Sequence, residues 1–384
     1  MNLTANLAQP RRILVRGVNW LGDAVMTTPA LLRLREAHPQ AHLTLLTPEK
    51  LAGLWQQHPA INSVLTFSNG ESVWAIGRRL RVEQFQTALV LPNSTRSALE
   101  VWLAGIPHRL GYGGAGRNWL LTQAIPHRCE AIRTRKRSIA EIQQLIQSSP
   151  VNVATIPARA HHIHHYLHLG AALGASAEPL PPLIQVTELE VAEVRRRFEL
   201  TSESRPWFGL NAGAEYGPAK RWPREKFVAA AIQLHQRANC RWVIFGGPDD
   251  VELAAGIAAE VQLATSQHTP AVAVPVLNLA GQTSLRELCA ALQICRVLLT
   301  NDTGPMHVAA AVGTPVVVPF GSTSPELTGP GLPGDNRHQL LTSHAPCAPC
   351  FLRECPIDFR CLIGLGVERV VAAVLRVGLG TKEW

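Results

Sequence analysis

The stretch Arg296 to Gly321, RVLLTNDTGPMHVAAAVGTPVVVPFG, reads as strand, loop, helix and strand with no spare residue between them. Val297 to Leu299 is a short aliphatic run, and Asn301-Asp-Thr-Gly304 is a turn-forming loop. A helix then runs until Gly313, and Pro315 to Pro319 is a second strand. A strand-helix-strand unit of this kind belongs to a parallel sheet covered by helices. The loop also carries chemistry. Thr303 can cap the helix, Pro305 suits its first turn, and Gly304 lets backbone approach a ligand, so N–H groups and the positive end of the helix dipole would face a phosphate. His307 lies one turn beyond Thr303 on the same face. An Asp-Thr pair alone reads as an ordinary cap and His307 as a core residue, but Asp302, Thr303, Gly304, Pro305 and His307 together at a strand's C-terminal edge favour a ligand site.

The same rhythm extends along the chain. Ile13 to Arg16, Leu43 to Leu46 and Ala88 to Leu91 read as strands. Thr28-Pro29 reads as an N-cap followed by proline at the first helical position, opening a helix over Ala30 to Ala37. A proline-rich break, Glu178-Pro-Leu-Pro-Pro182, separates this series from a second one. There Trp207 to Leu210, Trp242 to Phe245, Val297 to Leu299 and Pro315 to Pro319 are strands. Lys226 to Gln236 and Leu285 to Ile294 are helices. The expected organisation is two α/β domains, residues 1–182 and 183–365, with a ligand in the cleft between them.

With 384 residues, 46% hydrophobic and 17% charged, the chain can bury two cores and lacks the composition of a disordered protein. The opening MNLTANLAQP lacks the layout of a signal peptide, and no apolar run reaches the roughly 18 to 20 residues that span a bilayer. The net charge of +8 points to an anionic partner. Basic residues concentrate at Arg128, Arg133, Arg135, Lys136 and Arg137, with Arg109 and Arg117 upstream, as a solvated loop or a binding patch.

Gly111-Tyr-Gly-Gly-Ala-Gly116 matches the dinucleotide fingerprint by letter. Pro107-His-Arg precedes it without a clear strand, so it reads as a glycine-rich surface loop. The segment Asn211 to Pro223, NAGAEYGPAKRWP, leaves a strand and carries Asn211, Gly213 and Lys220, the last able to reach a diphosphate as a mobile point charge. No Asp-x-Asp motif is present to hold a diphosphate through a divalent cation. Lysine, hydroxyls and helix N-termini would have to stabilise a departing diphosphate. Cys347-x2-Cys350-x4-Cys355-x5-Cys361 has a spacing open to a structural zinc site, free thiols or a disulfide clip. His161, His165 and His168 fall on one helix face, read as a polar face rather than a metal site.

Several stretches together resemble the ADP-heptose:lipopolysaccharide heptosyltransferases, most closely the branch that adds the second heptose. They are WLGDAVMTTPAL (Trp20 to Leu31), LPNSTRSALEVWLAGIPHRLGY (Leu91 to Tyr112), GAEYGPAKRWP (Gly213 to Pro223), LAGQTSL (Leu279 to Leu285) and NDTGPMHVAAAVGTPVV (Asn301 to Val317). The resemblance implies a GT-B fold, in which two Rossmann-like domains face a central cleft. The acceptor would lie on the N-terminal half and the nucleotide sugar on the C-terminal half, and the C-terminal helix, residues 366–384, would pack back on the first domain. It implies inversion without a metal, with Asp23 as general base. Lys220 would be the catalytic diphosphate ligand. Asn211, Gly213, Lys220, Asp302, Thr303, Gly304 and His307 would bind the nucleotide sugar, and Gly22, Asn93, Ser94 and Arg96 the acceptor. The cysteine cluster departs from the family pattern.

The resemblance further implies an ADP-heptose donor, a lipopolysaccharide inner-core acceptor, no cofactor required for catalysis, and a cytoplasmic enzyme in peripheral contact with the inner membrane. Nucleic acid is not an expected partner. Two rival readings remain from the residues. One is an NAD-dependent oxidoreductase built on the Rossmann-like halves. The other is a non-catalytic zinc-containing nucleic-acid-binding protein, opposed by only three tyrosines and no clustered aromatics for base stacking.

Overall fold

The computed structural model describes residues 11–114, 116–132, 134–148, 156–200, 205–268 and 276–380. The chain forms two compact units: Met1–Ala131 with Arg159–Gln185, and Ile132–Ala158 with Val186–Trp384.

The first unit holds β1 (Arg12–Arg16), α1 (Leu21–Ala37), β2 (His42–Pro48), β3 (Ser63–Phe67), α2 (Val73–Val82), β4 (Thr87–Val90), α3 (Thr95–Leu103), β5 (His108–Tyr112) and β6 (Gln123–Ile125). Of the next two helices, α4 (Ile139–Gln147) belongs to the second unit and α5 (Ile163–Ala171) to the first. The strands pair in parallel in the order β3-β2-β1-β4-β5-β6. Ile13, Leu14 and Val15 are fully buried, as expected of a central strand covered on both faces. The order reverses between β1 and β4, which opens a crevice at their C-terminal ends.

Two local expectations fail here for identifiable reasons. Helix α1 starts at Leu21 rather than after Thr28, and Pro29 lies inside it. Proline has no N–H to offer the carbonyl of Val25, and the Thr28 hydroxyl donates to that oxygen instead at 2.8 Å. Thr28 is therefore not a cap but a repair within a continuous helix. A strand does precede the Gly111 to Gly116 run: β5 includes His108 and Arg109, held between β4 and β6. It leads into a short 3-10 turn at Asn118–Leu120 and then β6, not into the helix that a dinucleotide fingerprint requires.

The second unit continues with α6 (Glu188–Arg197), β7 (Trp207–Asn211), α7 (Arg224–Ala238), β8 (Arg241–Ile244), α8 (Val251–His268), β9 (Val276–Asn278) and α9 (Leu285–Ile294). It closes with β10 (Leu298–Thr300), α10 (Gly304–Ala311), β11 (Val316–Pro319), α11 (Pro325–Thr328), β12 (Gln339–Leu341), α12 (Arg360–Ile363) and α13 (Val367–Leu379). Its parallel sheet runs β12-β11-β10-β7-β8-β9, the same winding with the reversal between β7 and β10. Reciprocal capping boxes, Thr187 with Glu190 and Ser284 with Glu287, fix the starts of α6 and α9.

Membership of the units differs from the sequence expectation in two places. Residues 132–158 join the second unit although they precede the proline-rich break. Helix α13, assigned by the resemblance to the N-terminal domain, is a member of the second unit, where Val370, Val371, Val374 and Leu375 share a core with Phe208 and Trp242. Its apolar stripe is matched there by α7, β11 and β12. Residues 381–384 lie outside the described residues.

Candidate active site

In each unit the functional candidates cluster where strand order reverses. In the second unit that point lies beyond β7 and β10. Asn211 ends β7, and its side-chain amide donates to Thr300 Oγ1 at 3.2 Å on the last residue of β10. Asn301 is fully buried; its amide donates to the carbonyl of Ala212 at 2.7 Å while its Oδ1 accepts from the Trp222 N–H at 2.9 Å. This one side chain therefore fixes both ends of the loop that carries Lys220.

Lys220 Nζ lies 2.7 Å from Asp302 Oδ2, and Thr323 Oγ1 donates to the same oxygen at 2.5 Å. Asp302 is nearly inaccessible while the Lys220 side chain is 13% exposed, so the ammonium remains within reach of an outside anion. It also sits 4.9 Å from the Tyr216 ring centroid, a cation–π distance. Thr303 is the N-cap of α10 in extended conformation, with Pro305 in the first turn, so the sequence reading of this helix start holds. The Thr303 side chain makes no capping bond, however, and the first N–H groups of α10 retain their pull on an anion. Gly304 begins α10 and His307 is buried one turn into it. Gly213 comes so close to Asp250 that an added Cβ would stand 2.2 Å from its Oδ2. Asp302 thus holds the Lys220 ammonium in place through an ion pair. Thr323 and Asn301 were missed as individual residues; the Gly321-Ser-Thr-Ser run after β11 was the only local signal for Thr323.

In the first unit the reversal lies beyond β1 and β4. Asp23 occupies the first turn of α1, two residues after Leu21, where the helix dipole favours a negative charge. The Tyr166 hydroxyl of α5 donates to Asp23 Oδ1 at 3.2 Å. Gly22 precedes it on the same turn. Beyond β4, Asn93 and Ser94 are exposed and Ser94 caps α3, accepting from the Ser97 N–H at 3.2 Å. Arg96 is 46% exposed and pairs with Glu100 at 3.2 Å. Glu100 is fully buried and also holds Arg16 Nε of β1 at 2.8 Å. Asp23 and the Asn93 to Arg96 block therefore both lie beyond the C-terminal ends of the paired strands β1 and β4.

A family model described as glycosyltransferase family 9 (heptosyltransferase) matches residues 73–359. The chain belongs to that family. Lipopolysaccharide heptosyltransferase 2 of Escherichia coli K12 is 33% identical over 332 residues, covering 83% of this chain and 85% of that protein. The structure of E. coli ADP-heptose lps heptosyltransferase II is 29% identical, with a TM-score of 0.75 over 96% of this chain and 98% of that one. An E. coli heptosyltransferase solved with ADP-2-deoxy-2-fluoro heptose shares the fold at 16% identity, with a TM-score of 0.62 over 94% and 97%. The two parallel six-stranded sheets are those of GT-B heptosyltransferases.

In this glycosyltransferase the cysteine segment supports the Lys220 loop. Ala219 N–H donates to the carbonyl of Arg353 at 3.0 Å, Phe351 N–H to that of Ser322 at 2.7 Å, and Tyr216 hydroxyl to that of Phe351 at 2.8 Å. Gly217 has φ +146° and its added Cβ would stand 2.6 Å from the Arg353 carbonyl oxygen, so this close approach needs glycine. Cys347, Cys350, Cys355 and Cys361 line a small cavity with Ile142, Ile357 and Ser322. All eight cysteines are free thiols. Among the described residues no group of three or more His, Cys, Asp or Glu side chains is arranged to hold a metal ion. Burial pushes the Cys361 thiol up to about 12 and raises Cys347 and Cys350.

The glycosyltransferase also spends several cations of its basic cluster on structure. Buried Arg117 donates to the carbonyl of Pro92 at 2.6 Å, and Arg109 to that of Leu120 at 2.7 Å. Arg135 pairs with Glu141 at 2.6 Å, and Arg137 donates to the carbonyl of Cys347 at 3.0 Å. Arg128 bonds the carbonyl of Arg159 at 2.8 Å in the first unit. Arg133 lies outside the described residues. His165 and His168 pack around Tyr112, and His161 is buried, so this run is a packed cluster rather than a polar face. Among the described residues no helix is long and apolar enough to cross a membrane.

Proposed function

We propose that this glycosyltransferase moves heptose from ADP-heptose to the inner-core heptose of lipopolysaccharide, inverting the anomeric carbon without a metal, at the cytoplasmic face of the inner membrane. The names of its relatives support the donor and acceptor. The observation that carries the reading is the Lys220 ammonium held 2.7 Å from Asp302 in front of the α10 N-terminus. That is a fixed positive site for a diphosphate, in a chain without an Asp-x-Asp motif.

Asp23 takes the proton from an acceptor hydroxyl as that oxygen forms the new bond to the anomeric carbon. The bond from that carbon to the β-phosphate oxygen breaks, and ADP leaves with the electron pair from the opposite face. Lys220 and the N–H groups at Thr303 to Gly304 meet the charge that grows on the phosphate, where prepared donors lower the barrier most. Gly22, Asn93, Ser94 and Arg96 form the acceptor side. The test is to incubate the protein with ADP-heptose and a panel of truncated lipopolysaccharide acceptors and weigh the products. Asp23→Asn should lower turnover by about 10² to 10⁴ while leaving ADP-heptose affinity nearly intact. Near wild-type turnover in that variant would sink Asp23 as the base.

A further inference from the structure

Helix α5 is packed against α1, and it brings Tyr166 to Asp23 across 143 positions of sequence. The phenol donates to Asp23 Oδ1 at 3.2 Å. A carboxylate in the first turn of a helix turns about two side-chain bonds, and its attraction to the helix N-terminus is not strongly directional. A directed hydrogen bond to one oxygen fixes the plane of the group and so the lone-pair directions of both oxygens. A base acts only within hydrogen-bond reach and correct aim of the proton it removes.

We infer that Tyr166 is a positioning residue, which aims the Asp23 carboxylate at the acceptor hydroxyl through the bond it donates to Oδ1. The inference rests on the reading of Asp23 as the general base. Tyr166 is suited to a donor-only role. Burial, then the negative charge of Asp23 and the bond to it, hold its phenol well above the usual tyrosine range, so it keeps its proton throughout the working pH range. Titratable groups that act on this pair among the described residues include His162, at the start of α5, and Tyr112 of β5. Burial lowers His162 against the opposing pull of Asp23, which leaves the imidazole neutral near pH 7. Tyr112 is likewise raised by burial and stays protonated. The phenol of Tyr166 therefore meets a carboxylate with no formal charge on these neighbouring rings.

The test is Tyr166→Phe, which keeps the ring and removes the donor. We expect kcat to fall about tenfold, the loss associated with a hydrogen bond to a charged group, while KM for ADP-heptose stays within about twofold. Removing a donor to a carboxylate raises its pKa, so the acid limb of kcat/KM should move up by about half to one pH unit. In the Asp23→Asn background Tyr166→Phe should cost nothing further, because the two act as a unit. A residue that only packs would change thermal stability and leave the acid limb unmoved. Should the variant fail to fold, 3-fluorotyrosine at position 166 keeps the hydroxyl and strengthens its donation, and the limb should then move down. Wild-type kcat and an unmoved limb overturn the inference. If Asp23→Asn alone retains turnover, the assignment of the base fails first, which separates the two outcomes.

Discussion

Glu100→Gln is the most informative stability test of the first unit. Glu100 is fully buried and holds Arg16, whose side chain is 2% exposed, at 2.8 Å; Arg96, also bonded to it, is 46% exposed and can turn to water. Arg16 has other contacts: the Gly17 carbonyl at 2.6 Å, Asn19 Oδ1 at 3.0 Å and the Phe67 ring at 4.4 Å. None of these carries a negative charge. The neutral amide of glutamine keeps the shape and one acceptor but leaves a buried guanidinium without its counter-ion. Removing one member of a buried pair costs about 3 to 5 kcal/mol, and the retained acceptor argues for the lower end. Native-state hydrogen exchange at the β1 and β4 amides reads this cost within the first unit alone, so the second unit's unfolding does not interfere. We expect protection there to fall by about 3 kcal/mol. Replacing both partners, as Arg16→Met with Glu100→Leu, should recover most of the loss. A Glu100→Gln loss below about 1 kcal/mol would refute the claim that this pair anchors β1 to α3.

Lys220→Ala should lower kcat/KM by about 10² to 10³ and weaken ADP-heptose binding, measured by steady-state kinetics and titration calorimetry. It should also destabilise the second unit, because Asp302, 3% exposed, would lose the counter-ion that now lies 2.7 Å away. Glu190 is held at about 2, chiefly by its hydrogen bonds from Arg286, against an ordinary 4.5. The folded state thus favours the carboxylate; the gain is full above about pH 4.5 and is lost as pH falls through about 2. Glu190→Gln should therefore destabilise the protein in urea at pH 7, and its gap from wild type should narrow steadily below pH 4.5.

Much of the architecture was written in local pattern. The run from Arg296 to Gly321 gave β10, α10 and β11 in order, and the capping box at Ser284 fixed α9 at its expected bounds. Lys220, Asp302 and Thr303 were legible because glycines, prolines and a strand end concentrate around them, and the two sets of strands implied two Rossmann-like sheets. Periodicity and caps act over a few residues, so they survive in a reading of the chain alone. Other features depended on partners remote in sequence. Pro29 reads as a helix start until the Thr28 hydroxyl is seen bonded to the Val25 carbonyl. His108 and Arg109 become a strand because Thr87 and Ala88 of β4 pair with them. Thr323 reaches Asp302 across 21 positions and Tyr166 reaches Asp23 across 143. The cysteine spacing was open to zinc, free thiols or a clip, and only the fold shows the four side chains lining one small apolar cavity with Ala219 of the Lys220 loop. The chain by itself determined which elements form and which residue types could do the chemistry. Only tertiary packing decided what each side chain faces, because burial and long-range pairing are set by contacts that no local pattern contains.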